Sequence, residues 1–213
     1  MKQITMKELP DLFEAISNQF IIHADELCKM DSRMGDGDLG ITMKKGFGAL
    51  PRIIRDMEER EFSKKIRKAG LEMTEIVPST MGMLMGTGVS YGGKELEGKN
   101  GIDGEGLALF LKGFCKGIIK RGKCDRGDRT VLDSIGQAAD DAEAVLKANP
   151  CASLEDVCSA ALEGAKKGVE ATKTMKPKYG KAAVHAEAAK GTADQGAVAG
   201  QLLLQGIADY ILK

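Results

Sequence analysis

Gln195-Gly196-Ala197-Val198-Ala199-Gly200-Gln201-Leu202-Leu203-Leu204-Gln205-Gly206-Ile207-Ala208-Asp209-Tyr210-Ile211-Leu212 places Val198, Leu202, Leu203, Ile207 and Ile211 on one side of a helix. Residues 6–29 repeat the pattern with Leu9, Leu12, Phe13, Ile16, Phe20, Ile21 and Leu27. A loop over 30–38 precedes a helix from Gly40, whose face includes Ile41, Met43 and Phe47 and which Pro51 is expected to interrupt or reshape. Further helices are predicted over 62–77, 79–93, 105–121, 129–147 and 153–174, about eight in all. No stretch alternates apolar and polar residues long enough to demand a strand. Composition agrees. Hydrophobic residues make up 43% of the chain but aromatics only 4%, without Trp, so the core is built from Ala, Leu, Ile and Met, which suits helix packing better than sheets. The expected fold class is all-α, with the 213 residues forming one domain.

Helix starts are marked by Ser153 with Asp156 after Pro150, and by Asp128 as a second cap candidate. The segment from Lys173 to Ala193 differs from the rest. It carries Lys173, Lys176, Lys178, Lys181 and Lys190 against the single acid Glu187, and reads as a mobile basic loop.

The charges exclude some partners. Lys plus Arg and Asp plus Glu both number 31, so a neutral chain is expected to bind neither nucleic acid nor an anionic membrane. No apolar run reaches the roughly 20 residues that a spanning helix needs. Met1 to Pro10 lacks a signal-peptide core, and the expected location is the cytoplasm. The five cysteines (Cys28, Cys115, Cys124, Cys151 and Cys158) form no Cys-x-x-Cys pair and are expected to be free thiols. With only His23 and His185 to help, a zinc site is not expected.

The strongest chemical signal is Met30-Asp31-Ser32-Arg33-Met34-Gly35-Asp36-Gly37-Asp38-Leu39-Gly40. Gly35, Gly37 and Gly40 let the backbone fold so that Asp31, Asp36 and Asp38 converge. Converging carboxylates repel unless cations separate them, and an oxygen-only ligand set fits magnesium, which keeps part of its shell for phosphate. The competing reading is a solvated acidic turn in which Asp38 caps the next helix. An EF-hand fails, because a loop begun at Asp36 puts Phe47 where the bidentate Glu belongs, and one begun at Asp31 puts Arg33 at a ligand position. One magnesium ion leaves the three aspartates at about −1, and two give about +1, which attracts a polyphosphate.

Three weaker signals follow. Pro78-Ser79-Thr80 is a helix start whose amides can receive phosphate, although Gly82 and Gly86 equally suit a close contact between helices. Arg121 to Asp133, with alternating charges beside glycines, is a structured turn whose basic groups can reach a nucleotide or, equally, face solvent. Gly191-Thr192-Ala193-Asp194-Gln195-Gly196 turns into the last helix, with Asp194 either its cap or part of a ligand site. Gly117 to Cys124 nearly spells a Walker A loop but has Cys124 where Ser or Thr binds magnesium, and Gly86-Thr87-Gly88 followed by Gly92 has the wrong spacing for a dinucleotide fingerprint.

Taken in order, the acidic loop, Arg121-Gly122-Lys123 with Gly127-Asp128-Arg129-Thr130, Thr172 to Met175, and Gly191 to Ala197 resemble the L subunit of dihydroxyacetone kinases over essentially the whole chain. The resemblance implies an antiparallel barrel of eight helices with the nucleotide site in the loops at one end. It implies two magnesium ions on Asp31, Asp36 and Asp38. It places ADP or ATP on Leu39, Gly40, Ile41, Thr42, Thr80, Met81, Gly122, Val131, Lys181, Asp194, Gln195 and Gly196, under the basic segment as a lid. It assigns no catalytic side chain. Implied partners are a K subunit that holds the ketose and a phosphoryl-donor subunit of the phosphoenolpyruvate phosphotransferase system, with a transcription regulator and a second copy of the chain as further candidates. Leu39 stands where His is common, Thr42 where Asn is common, Met81 where Ser follows a glycine pair, and Lys181 in place of an Arg whose planar fork it lacks. A fatty-acid kinase nucleotide domain and a non-catalytic nucleotide sensor are the alternatives.

Overall fold

In the computed structural model, residues 3–184 and 189–213 are described, except for the side chains of Lys181 and Ala182. Helices α1 (Leu9–Ile22), α2 (Ala24–Asp31), α3 (Leu39–Asp56), α4 (Phe62–Ile76) and α5 (Thr80–Lys94) form the first half. Helices α6 (Gly104–Gly122), α7 (Val131–Ala148), α8 (Leu154–Thr172), the five-residue α9 (Gly180–Val184) and α10 (Gln195–Ile211) form the second. The two-residue strands β1 (Ile4–Thr5) and β2 (Gly101–Ile102) pair antiparallel and tie the start of the chain to the α5–α6 connection.

The helices close a ring. α3 packs on α4, then α5, α6, α7, α8 and α10 follow in turn, and α10 meets α1, which lies back on α3. An all-α barrel is therefore observed, as the resemblance implied. Neighbours run antiparallel at close range. A methyl group added at Gly164 would lie 2.6 Å from the Gln137 carbonyl oxygen, and one at Gly168 would lie 2.3 Å from that of Asp133, so the contact moves down α7 as it moves up α8. Small residues thus set the helix spacing, and Leu, Ile, Met and Phe fill the space between. Phe20 stacks on Phe47 with ring centroids 4.5 Å apart, joining α1 to α3.

The polarity of the chain places the loops after α2, α4, α6 and α8 at one end of the barrel. The chemistry gathers there. Ser79 caps α5 by accepting from the Gly82 amide, and Ser153 with Asp156 forms the predicted capping box of α8. Among the described residues no helix is long and apolar enough to cross a membrane. All five cysteines are free, and burial pushes the Cys115 and Cys158 thiols up to about 12, which keeps them protonated.

Several predicted features are corrected. The helix expected over 6–29 is two helices that break at His23, because α2 has to tilt until its Ala24 carbonyl meets α3 at Gly40; a methyl group on Gly40 would stand 1.8 Å from that oxygen. Gly40 therefore serves helix packing, and Gly35 and Gly37 alone shape the acidic turn. Pro51 does not end α3, which runs on to Asp56 with Pro51 buried, at the loss of one amide donor. The cap of α7 is Thr130, not Asp128, whose carboxylate instead accepts from the Asp125 amide. Part of the basic segment is ordered by contacts: Lys178 pairs with Asp128 at 3.1 Å, Gly191 donates to the Lys173 carbonyl, and Ala189 is buried.

Candidate functional site

Between α2 and α3 the chain reverses within a few residues. Gly37 takes a left-handed φ of 78° and donates its amide to Asp31 Oδ2 at 2.8 Å. Gly35 lies so close to Asp31 that a methyl group there would sit 2.3 Å from Oδ1. Both glycines are therefore required by the same carboxylate. The turn brings one oxygen each of Asp31, Asp36 and Asp38 within 4.8 Å of one another, with Asp31 buried and the other two exposed. Asp38 occupies the N-cap position of α3 but makes no side-chain capping bond, so the cap explanation of this acid does not hold. The donor set is all oxygen and anionic, one member is anchored in protein, and the open side faces solvent. That arrangement fits a hard divalent cation which shares its shell with a phosphate.

Asp31 has a second partner across the barrel. Gln195, in the first turn of α10, donates from Nε2 to Asp31 Oδ1 at 3.3 Å, while its Oε1 is buried without a hydrogen-bond partner among the described residues. The preceding Asp194 caps α10 by accepting from the Ala197 amide at 2.8 Å. Burial is the main influence on Asp194 and raises its carboxyl to about 6, against the pull of the Ala197 amide and of Arg129.

Arg129 is the residue whose role was least visible beforehand. Its side chain is fully buried, and its backbone is left-handed at φ 62°, a conformation costing a side-chain-bearing residue roughly 1–2 kcal/mol. Nε donates to the Thr172 carbonyl at 3.2 Å, and Nη2 to the carbonyls of Ala189 and Thr192 and to Thr192 Oγ1 at 3.0–3.1 Å. Asp194 lies 4.0 Å from Nη1. The turn around Arg129 is held by Asp133, which accepts from the amides of Gly127 and Thr130. The basic groups of this turn could face a nucleotide or solvent; Arg129 does neither and ties protein to protein. The signal that could have revealed it is the left-handed pair Gly127 and Arg129 ahead of a Thr-x-x-Asp cap, which marks a strained turn needing an internal anchor.

The remaining candidates occupy the same end. Leu39, Gly40, Ile41 and Thr42 form the first turn of α3, with Ile41 exposed and the others buried. The Thr42 amide bonds the Asp38 carbonyl. Thr80 and Met81 open α5, the former exposed and the latter packed against the core. Gly122 ends α6 against Leu84 of α5, and Val131 opens α7 with its amide 3.3 Å from where a methyl group on Gly196 would sit. Thus Gln195 directly joins the triad, Gly196 lies against Val131, Met81 packs on the core, Gly122 lies against Leu84, and Thr80 is exposed. The Lys181 backbone lies in α9, and its side chain is outside the described residues. A cleft of about 1010 Å³ between α6 and α7 is lined by Ala108, Leu109, Cys115, Leu132, Ala139 and Leu146 among others, and by none of these candidates.

Comparison with known proteins gives the chain its family. The DAK2 domain matches residues 33–209. The ADP-binding subunit DhaL of PEP-dependent dihydroxyacetone kinase 1 from Listeria innocua is 31% identical over 182 residues, 85% of this chain and 84% of its own length. The triokinase/FMN cyclase of Rattus norvegicus is 27% identical over 98% of this chain, which spans 36% of that longer protein. The crystal structure of the dihydroxyacetone kinase from C. freundii in complex with AMP-PNP and Mg2+ superposes with a TM-score of 0.68 over 94% of this chain and 33% of its own, at 21% identity. The chain belongs to the DAK2 domain family, and its fold is that of the matching part of dihydroxyacetone kinase.

Proposed function

We propose that this chain is the nucleotide-holding subunit of a dihydroxyacetone kinase, with Asp31, Asp36 and Asp38 binding two magnesium ions that carry the phosphates of ADP or ATP. The observation that carries the reading is the convergence of the three carboxylates within 4.8 Å on an open face of the barrel. Similarity to a subunit named as ADP-binding supports the nucleotide, and similarity to a kinase crystallised with AMP-PNP and Mg2+ supports the pairing with a metal.

The chemistry asks for positioning more than for a reactive side chain. Magnesium, when bound, neutralises charge on the transferring phosphoryl group. Asp31 is oriented by the Gly37 amide and Gln195, so its oxygens are aimed before any ligand arrives. First-turn amides of α3 at Leu39, Gly40 and Ile41, and of α5 at Thr80 and Met81, have no acceptor within their helices and sit at positive dipole ends suited to phosphate oxygens. Lys181 adds a positive charge from the segment that precedes α10. Gly122, Val131 and Gly196 let backbone approach the nucleotide closely. Thr42, with its amide used within α3 and its side chain buried, shapes that turn from behind.

The acceptor is a short ketose, dihydroxyacetone or a close relative, held on a separate K subunit, and the phosphoryl source is a subunit of the phosphoenolpyruvate phosphotransferase system. In that scheme ADP stays bound and is rephosphorylated in place. Mass spectrometry of gently purified protein tests it. ADP released on denaturation from the wild type and missing from Asp36→Ala supports the reading. Kinase activity with purified K subunit that is untouched in Asp36→Ala overturns it.

A further inference from the structure

We propose that Arg129 is a positioning residue for the magnesium site, acting through Asp194 and Gln195 on Asp31; this rests on the nucleotide-subunit reading above. The guanidinium gathers four acceptors from chain that is remote in sequence: the end of α8 at Thr172, the return of the basic segment at Ala189, and two atoms of Thr192 just ahead of α10. Thr172 repeats the grip from its own side, its Oγ1 accepting from the Asp194 amide at 2.9 Å. The entry to α10 is thereby fixed at both its backbone and its cap.

From there the geometry runs directly to the acidic loop. Gln195, one residue past the cap, donates to Asp31 Oδ1, and Ala189 packs with Met34 in a small cluster separate from the main core. The segment that Arg129 closes therefore touches the Asp31–Asp38 turn at two points. If Arg129 releases its carbonyls, the entry to α10 is left to local bonds such as that from the Asp194 amide to Thr172 Oγ1, Gln195 shifts from its place, and Asp31 keeps the Gly37 amide as its orienting bond. Residues that orient metal ligands from behind typically change metal affinity or activity by 10- to 100-fold when replaced. A purely structural arginine would lower the melting temperature and leave magnesium affinity alone.

The experiment measures Mg–ADP dissociation constants and the half-saturating Mg2+ concentration at fixed ADP, at a temperature well below each protein's melting point, for wild type, Arg129→Met, Arg129→Lys and Thr192→Val. Arg129→Met should raise the half-saturating Mg2+ concentration by roughly 10- to 100-fold. Arg129→Lys should fail to restore it, because an ammonium on a flexible stem cannot serve acceptors spread around a planar fork. Thr192→Val, which removes a hydroxyl that accepts from Arg129 and donates to the Ala189 carbonyl, should shift it in the same direction by roughly 3-fold or more, and keeps the test open if Arg129→Met does not fold. Unchanged magnesium dependence in Arg129→Met, or in Thr192→Val should Arg129→Met not fold, overturns the inference while the subunit reading stands. A wild type that binds no Mg–ADP overturns both.

Discussion

The seam between α7 and α8 and the loop end of the barrel solve opposite problems with the same small residue. Along the seam, Gly164 and Gly168 remove side chains so that two helices can touch, backbone against backbone. At the loop end, Gly35 and Gly37 remove side chains so that charged groups can meet, and the result is three clustered carboxylates, a left-handed Arg129 and a buried Gln195 oxygen without a partner among the described residues. The first arrangement lowers the energy of the free protein. The second raises it, and makes sense where a bound ligand returns what the fold gives up. Stability and function are thus separable by region, and substitutions should separate them.

The largest effect should come from the loop end. Asp31→Asn keeps the shape of the side chain and removes one charge. Mg–ADP affinity should fall by roughly 100-fold or more, beyond what outer-shell changes cause, while the melting temperature of the metal-free protein stays level or rises as like-charge repulsion is relieved. Calorimetric titration beside a thermal melt reads both; a large loss of metal-free stability would erase the contrast between the regions.

On the seam the signs reverse. Gly164→Val forces a side chain against the Gln137 carbonyl, and overpacking of this kind costs about 3 kcal/mol. For a chain of this size that corresponds to a melting temperature lower by about 6–12 °C, with Mg–ADP affinity below the transition unchanged. Lost affinity in the folded variant would show the regions to be coupled.

Asp194 sharpens the boundary through pH. Burial raises its carboxyl to about 6, so the folded state holds a proton that the unfolded chain has released. Its contribution to stability is therefore full below about 4, the ordinary Asp value, and declines as pH rises through about 6. Asp194→Asn, which can still cap α10, should flatten that decline in denaturant titrations across this window; an identical slope in both proteins would contradict the buried, raised carboxyl. The smallest effect belongs to Ser153→Ala at the start of α8, which should cost about 1 kcal/mol and leave nucleotide binding alone in the same titrations.

Much of this was legible in the sequence, for identifiable reasons. Apolar spacing located the long helices, because each presents one face to the core, and the glycines beside Asp31, Asp36 and Asp38 announced a turn that only small residues allow. Features set by partners remote in sequence were not legible. The break at His23 depends on where Ala24 meets Gly40. The displacement of the α7 cap from Asp128 to Thr130 depends on two left-handed residues in the turn. Gln195 read as a nucleotide contact, and only the folded chain shows it reaching back to Asp31 across 164 positions. Arg129 read as one of several basic groups in a turn, and only the carbonyls gathered around it in the folded chain set it apart.

The central claim is that the three aspartates act only as a unit with divalent metal, and the most direct test is the Mg2+ dependence of ADP binding in the wild type and in Asp38→Asn. The account expects ADP to bind the wild type in millimolar Mg2+, to be lost on adding excess chelator, and to bind Asp38→Asn weakly at any Mg2+ concentration. ADP bound equally well in chelator, or equally well by Asp38→Asn, would contradict it.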